Sequence, residues 1–138
     1  MADGRTRPQP DRESEAFWSG LAGHRLILQE CQECGRRRFP RIPSCPYCGA
    51  EGGADVEATA AGTVYSWIRV ERPLTPNMAA EVPYVVATVD LDGGGRLHAR
   101  LHGGGDVTIG MAVEALYVDH REGWTELRFA TAAPGGRR

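Results

Sequence analysis

Apolar and polar residues follow different periods in the two parts of this chain. Near the start, small or apolar residues recur at helical spacing: Ala16, Phe17, Gly20 and Leu21. This spacing predicts a helix from about Arg12 to Ala22, with Asp11 as its N-cap and Gly23 at its end. Residues 25–30 alternate and predict a strand. From Asp55 onward the period of two dominates.

Short strand candidates separated by turn signals fill the second part of the chain. They cover residues 56–60, 63–70, 84–90, 96–102, 111–119 and 124–130. The breaks between them are rich in glycine and proline, and the longest is the loop that contains Pro73, Pro76 and Pro83. Several short antiparallel strands within residues 55–131 predict a small β-barrel, because a closed barrel leaves no sheet edge exposed.

The pattern divides the chain into four predicted segments. Residues 1–10 and 132–138 are rich in proline, glycine and arginine and predict flexible tails. Residues 11–54 hold the helix and all four cysteines, and residues 55–131 hold the barrel. The fold class is therefore mainly β.

Charge and hydropathy narrow the classes of function. The chain of 138 residues carries a formal net charge of -2 and has a pI of about 6.1, which argues against a nucleic-acid binder that relies on bulk charge. No stretch approaches the roughly 20 apolar residues of a membrane span. The polar N-terminus has no apolar core of the signal-peptide type, so we expect a cytoplasmic protein.

Two CxxC pairs carry the clearest chemistry in the sequence. They are Cys31 with Cys34 and Cys45 with Cys48, each followed by glycine. Disulfides are rare in a reducing compartment, so the pairs predict metal ligands. Four thiolates make a closed tetrahedral site, which predicts one structural zinc ion and no position for a catalytic water. Iron is the alternative, since rubredoxins use the same ligands.

Three further groups of residues are candidates for binding. The first group consists of Arg36, Arg37, Arg38 and Arg41, which lie between the cysteine pairs. They form either a phosphate-contacting patch or a solvated cationic surface that balances the negative charge of the metal centre.

In residues 96–102 the period of two directs Leu97, Ala99 and Leu101 to the core. The opposite face, made of Arg96, His98, Arg100 and His102, is either a cationic surface for phosphate groups or for an acidic partner, or an ordinary solvated face.

Residues 63–70 present a second alternating pattern. If Val64, Ser66, Ile68 and Val70 face the core, then Tyr65, Trp67 and Arg69 form an aromatic and cationic surface. That composition suits a protein interface or base stacking on a single strand. Aromatic core packing is the alternative interpretation.

The order of these elements resembles the DUF35 family of acyl-CoA-associated zinc-ribbon/OB-fold proteins. The resemblance covers residues 11–129 and rests on ordered motifs: Phe17-Trp18, the residues from Arg25 to Cys31, Cys34-Gly35, Phe39-Pro40-Arg41, the residues from Cys45 to Gly49, Gly62-Thr63-Val64-Tyr65-Ser66, the residues from Pro83 to Ala87, the residues from Val89 to Gly94, and Gly110-Met111-Ala112-Val113. It implies an N-terminal helix, a rubredoxin-like zinc ribbon and an OB-fold barrel.

The resemblance also implies a function. Family members are accessory subunits without catalysis of their own, and they bind thiolase-fold enzymes: thiolases, lipid-transfer-protein-type aldolases or ketosynthase-like acyltransferases. They help to form the acyl-CoA or thioester site, for which the β6 face with Arg96, His98, Arg100 and His102 is the candidate surface for coenzyme A. By analogy with dimeric thiolase-like enzymes, the resemblance implies a heterotetramer with two copies of each chain. A zinc-ribbon/OB-fold module that binds nucleic acid is the alternative, and the pI opposes it.

Overall fold

The computed structural model describes residues 7–103 and 105–132, so the predicted tails fall largely outside the described residues. Helix α1 spans Glu15–Ala22, three residues shorter at its start than predicted. The N-cap is Ser14 and not Asp11 as predicted. Asp11 lies one turn earlier, where its Oδ1 accepts the Ser14 N–H at 2.8 Å and Ser14 Oγ accepts the Asp11 N–H at 3.0 Å. This reciprocal pair holds a turn ahead of the helix.

A three-stranded antiparallel sheet follows the helix. It consists of β1 (Ile27–Glu30), β2 (Arg37–Arg38) and β3 (Ala54–Glu57), in the order β2-β1-β3. The sequence predicts residues 56–60 as the first strand of the barrel, and this prediction is wrong. Strand β3 (Ala54–Glu57) is hydrogen-bonded to β1 of the ribbon sheet instead. The cysteine knuckles lie between β1 and β3, so this sheet forms the base of the ribbon.

The remaining strands close a five-stranded barrel in the order β4-β5-β6-β8-β7. They are β4 (Ala61–Val70), β5 (Tyr84–Leu91), β6 (Arg96–Leu101), β7 (Ala112–His120) and β8 (Trp124–Thr131), with one 3-10 turn at Pro76–Met78. Strands β6 and β8 pair in parallel and the others antiparallel. This closed Greek-key order is that of an OB-fold, as predicted.

One hydrophobic core extends from the helix through the barrel. Leu21 of α1 and Leu28 of β1 belong to the same buried cluster as Phe129 and Val113 of the barrel. Leu97 and Leu101 are buried and Ala99 packs against the cluster, which confirms the predicted inner face of β6. None of the helices in the described residues is long and apolar enough to cross a membrane.

The predicted alternation of β4 fails after Val64. A β-bulge between Val64 and Ser66 shifts the register, so that Trp67 pairs with the fully buried Ala87 and Ile68 pairs with Val86. Val64 is buried as expected, but Ile68 is 62% exposed. The bulge inserts one residue and exchanges the two faces of the strand, which a strict period of two cannot represent.

Candidate metal centre and partner surface

The two cysteine knuckles bring four sulfur atoms to one point. The Sγ atoms of Cys31, Cys34, Cys45 and Cys48 all lie within 4.8 Å of one another. Cys31 Sγ is 3.6 Å from Cys48 Sγ, and Cys34 Sγ is 3.7 Å from Cys45 Sγ. A tetrahedron with Zn–S bonds of about 2.3 Å has S···S edges of about 3.8 Å. The thiols therefore fit a four-coordinate metal ion.

Backbone geometry at each knuckle explains why the sulfurs converge. Gly35 and Gly49 adopt φ of 78° and 83°, a region that favours glycine. Their N–H groups donate to the carbonyls of Cys31 and Cys45 at 3.0 and 2.9 Å, which closes each turn. The positive φ explains why each cysteine pair is followed by glycine.

Main-chain donors also point at the sulfur atoms. The N–H groups of Cys34 and Glu33 lie 3.5 and 3.4 Å from Cys31 Sγ. The Cys34 N–H contributes most and the Glu33 N–H next, and together they lower the pKa of the Cys31 thiol to about 6. Tyr47 N–H lies 3.4 Å from Cys45 Sγ in the equivalent position of the second knuckle. The main-chain donors thus favour the thiolate at Cys31, and the thiolate is the form that binds a metal.

Arg38 holds the ribbon together from inside. It is only 5% exposed, and its Nη2 donates to the carbonyls of Gly52 at 2.6 Å and Ile42 at 3.2 Å. Its neighbour Arg37 instead pairs with Glu30 at 3.0 Å, and Arg41 bonds Asp55 at 3.1 Å. These arginines therefore differ in role, which the run of cationic residues in the sequence did not reveal.

A cavity of about 590 Å³ is lined jointly by ribbon residues and by residues at the β5–β6 turn. Its walls carry Arg36, Arg37 and Tyr47 from the ribbon, and Asp90 and Arg96 from the barrel. Arg96 Nε lies 2.6 Å from Asp90 Oδ1, and its guanidinium lies 3.6 Å from the centre of the Tyr65 ring. The Asp90 carboxylate raises the pKa of Arg96. The cavity therefore combines cations and exposed aromatic rings, with two of the cations already paired.

The candidate residues of β6 share one outer face over most of its length. Arg96, His98 and Arg100 pair with Asp90, Thr88 and Val86 of β5. The Arg100 guanidinium contacts Glu81 at 2.5 Å and lies 4.5 Å from the centre of the Tyr84 ring. The sequence did not identify the carboxylates of Asp90 and Glu81 as the partners of Arg96 and Arg100, because only the folding of β5 against β6 brings these side chains together.

Other candidates lie apart from this face. His102 follows the end of β6, where its Nδ1 is 3.4 Å from Arg128 Nη1. Arg69 pairs with Glu71 at 3.2 Å near the end of β4, and both are exposed. The Tyr65 ring lies against the Arg96 guanidinium. Trp67 pairs with the core residue Ala87 and therefore lies on the same side of the sheet, but it is 39% exposed. The predicted aromatic and cationic surface is thus divided between two places.

Family comparisons agree with this architecture. Residues 18–52 match the family model described as the ChsH2 rubredoxin-like zinc ribbon domain, and residues 55–118 match the ChsH2 C-terminal OB-fold domain. A solved structure described as the "Ltp2-ChsH2(DUF35) aldolase" is 36% identical, with a TM-score of 0.78, over 92% of this chain and 100% of that chain. The chain belongs to the DUF35 family. The predicted family resemblance is confirmed.

Other relatives place this DUF35 chain among longer proteins. A probable enoyl-CoA hydratase alpha subunit from Thermomonospora curvata is 40% identical over 72% of this chain and 30% of the relative. The Mycobacterium tuberculosis 3-oxo-4,17-pregnadiene-20-carboxyl-CoA hydratase alpha subunit is 33% identical over 85% of this chain and 37% of the relative. The DUF35 chain thus spans about a third of the curated relatives that it matches first.

Two archaeal proteins extend the comparison. A DUF35 domain-containing scaffold protein from Methanothermobacter thermautotrophicus is 29% identical over 56% of this chain and 59% of the relative. A Sulfolobus solfataricus DUF35 protein of unknown function has a TM-score of 0.62 at 21% identity, covering 87% of this chain and 85% of that chain. At that identity the likeness concerns the fold alone.

Proposed function

We propose that this chain is a non-catalytic accessory subunit that binds a thiolase-fold enzyme and helps to form its acyl-CoA or thioester site. One observation carries the proposal: the chain shares its whole architecture with the DUF35 component of an aldolase, at 36% identity and over 100% of that chain. The hydratase relatives add support for thioester chemistry, because their names specify CoA substrates.

The hydratase names favour a second candidate, in which this chain contributes catalytic residues. They describe proteins of which this chain covers 30% and 37%, so they do not assign the activity to the matched part. A centre with four thiolates has no open position for water or substrate. We therefore assign the chemistry to the partner enzyme.

Co-purification tests the proposal directly. The tagged chain and a thiolase-fold enzyme from the same organism are expressed together. The complex is purified, and its molar mass is determined by analytical ultracentrifugation. We expect a heterotetramer with two copies of each chain, and turnover of acyl-CoA only with the enzyme present. Turnover of an enoyl-CoA by this chain alone would favour the hydratase candidate, and failure to bind at micromolar concentration would refute the accessory role.

The metal of this proposal is zinc, held by Cys31, Cys34, Cys45 and Cys48. The sulfur positions fit zinc and iron alike. The match of residues 18–52 to a zinc ribbon favours zinc. Elemental analysis of the purified chain should give one zinc per chain, whereas an iron content with thiolate-to-iron absorption would contradict the assignment.

The thioester or partner contacts that we propose lie mainly on the outer face of β6, with Arg96, His98, Arg100 and the adjoining Tyr65, and include His102, Trp67 and Arg69 apart from that face. Asp90 and Glu81 neutralise two of these cations, so the face is suited to specific contacts more than to general attraction of anions. Within the complex, Arg96→Ala should raise the KM for acyl-CoA. An unchanged KM would remove coenzyme A contact from the role of this face.

The nucleic-acid alternative meets a physical obstacle. Oligonucleotides bind OB-folds on the face formed by the second and third barrel strands, here β5 and β6. Ribbon residues Phe39, Pro46 and Tyr47 line one cavity together with Thr88 and His98 of that face. A titration with single-stranded DNA at low salt, where electrostatic attraction is strongest, should detect no binding. Saturable binding there would revive the alternative.

A further inference from the structure

The hairpin of β4 and β5 extends beyond the closed part of the barrel. Strand β4 pairs with β7 only through Ala61, Gly62 and Thr63, while its pairing with β5 continues to Val70. Val64 completes the closed part, because it exchanges backbone hydrogen bonds with Met111 and Gly110. We call residues 66–88, which are the outer halves of both strands and the loop between them, the hairpin arm.

The arm has an open sheet edge. Within residues 7–103 and 105–132, no backbone group of residues 66–70 makes a hydrogen bond to another backbone group on the side away from β5. Five residues of strand present about 17 Å of alternating N–H and C=O groups. Proteins usually protect such an edge, since it pairs readily with another chain.

Exposed apolar side chains surround this edge on both faces. Trp67, on the side that faces the core elsewhere, is 39% exposed, and Ile68, on the outer side, is 62% exposed. Leu74 in the adjoining loop is 82% exposed. A strand with large apolar residues exposed on both faces beside a free edge has the composition of an interface core rather than of a solvated rim.

We propose that an extended segment of the thiolase-fold partner adds to the free edge of β4 as a further strand, with its apolar side chains against Trp67 and Ile68. This inference rests on the proposed accessory function and specifies where docking occurs. The edge recognises main-chain donors and acceptors, and the alternating side chains of the incoming strand contact the two apolar faces. Residues 69–72, which adjoin the edge, carry two arginines and one glutamate, and this suits an acidic flank on that segment.

A second copy of this chain fits the edge less well. If two arms paired in antiparallel fashion, the long loop of each copy, residues 71–83, would lie beside Val64 in β4 of the other copy. That position is already occupied by the backbone of Gly110 and Met111 beside Val64. A single extended segment has no such loop and reaches the whole edge.

Hydrogen exchange measured by mass spectrometry tests the inference on the intact chain, alone and in complex with a thiolase-fold enzyme from the same organism. We expect fast exchange in peptides that cover residues 66–70 of the free chain, and at least tenfold slower exchange in the complex. A complex that forms while these peptides exchange as before overturns the docking site but leaves the accessory function intact. An enzyme that does not bind at all overturns both.

A pair of substitutions separates the arm from a general effect of added surface charge. Ile68→Lys places a charge on the arm, and Ala22→Lys places the same charge at the end of helix α1, at an exposed residue. We expect Ile68→Lys to weaken binding at least about tenfold and Ala22→Lys to change it less than about twofold. Equal losses from both, or a dimer of the chain alone with protection at residues 66–70, would contradict the proposal.

Discussion

Gly95 is a point of close packing between the ribbon sheet and the barrel. It lies in the β5–β6 turn with φ of 104°, and a Cβ atom at this position would be 2.5 Å from Leu28 Cδ1. Leu28 is 2% exposed in β1, so it has little room to move. Gly95→Ala therefore forces either the turn or the ribbon sheet to shift.

Two terms contribute to the destabilisation. A side chain in this glycine region of φ costs about 1–3 kcal/mol. Overpacking against Leu28 adds about 1–3 kcal/mol. The sum, about 2–6 kcal/mol, is a large part of the 5–15 kcal/mol that typically stabilises a folded domain. We expect the ribbon to detach from the barrel before the barrel itself unfolds.

The neighbouring glycine provides a matched control. Gly94 has φ of 109°, but the nearest atom to its Cβ would be Arg37 Cδ at 3.9 Å, an ordinary contact. Gly94→Ala therefore introduces the backbone strain without the overlap. Urea unfolding followed by tryptophan fluorescence should show Gly95→Ala to be about 1–3 kcal/mol less stable than Gly94→Ala. Equal stabilities would refute the close packing of ribbon and barrel.

Three further perturbations have distinct readouts. Cys34→Ser should lower both the metal content and the melting temperature, and unchanged values of both would contradict the metal site. Arg38→Met should destabilise the chain by about 1–3 kcal/mol in urea unfolding, because two ribbon carbonyls lose their donor. Thr125 first, then His24, lower the pKa of Asp119. The ionised Asp119 therefore stabilises the folded chain fully above the pKa of the unfolded state, about 4, and this stabilisation is lost as the pH falls through the lower pKa of the folded state. Asp119→Asn should flatten this part of the plot of unfolding free energy against pH.

Periodicity predicted the elements of this chain better than their ends and partners. The cysteine spacing is a local feature, since each knuckle closes within a few residues, and it could be interpreted directly. The helix boundary was less accurate because the Asp11 and Ser14 side chains hold a separate turn. Strand β3 was assigned to the wrong sheet, since the period of two does not indicate which neighbour a strand pairs with.

The binding face was harder to predict than the fold. Charge patterning identified Arg96 and Arg100 as cations on one side of a strand, which the structure confirms. It could not identify Asp90 and Glu81 as their partners, because those contacts arise from the hairpin geometry. The bulge in β4 has no sequence signal comparable to a proline or glycine, so a strict period of two places Ile68 on the same face as the buried Val64, whereas Ile68 is exposed.

The position of the ribbon determines which OB-fold surface is accessible. Phe39 and Tyr47 approach the outer face of β5 and β6 at the end near the β5–β6 turn, where His98 lies 6.5 Å from the Phe39 ring. Away from this turn, β5 continues into the hairpin arm that it forms with β4, where Ile68 is exposed. The ribbon therefore lies beside the C-terminal end of β5, whereas the proposed docking edge lies in the arm, at the N-terminal end of β5. If that division is correct, removing the metal should expose the β5–β6 turn to hydrogen exchange without changing exchange at residues 66–70.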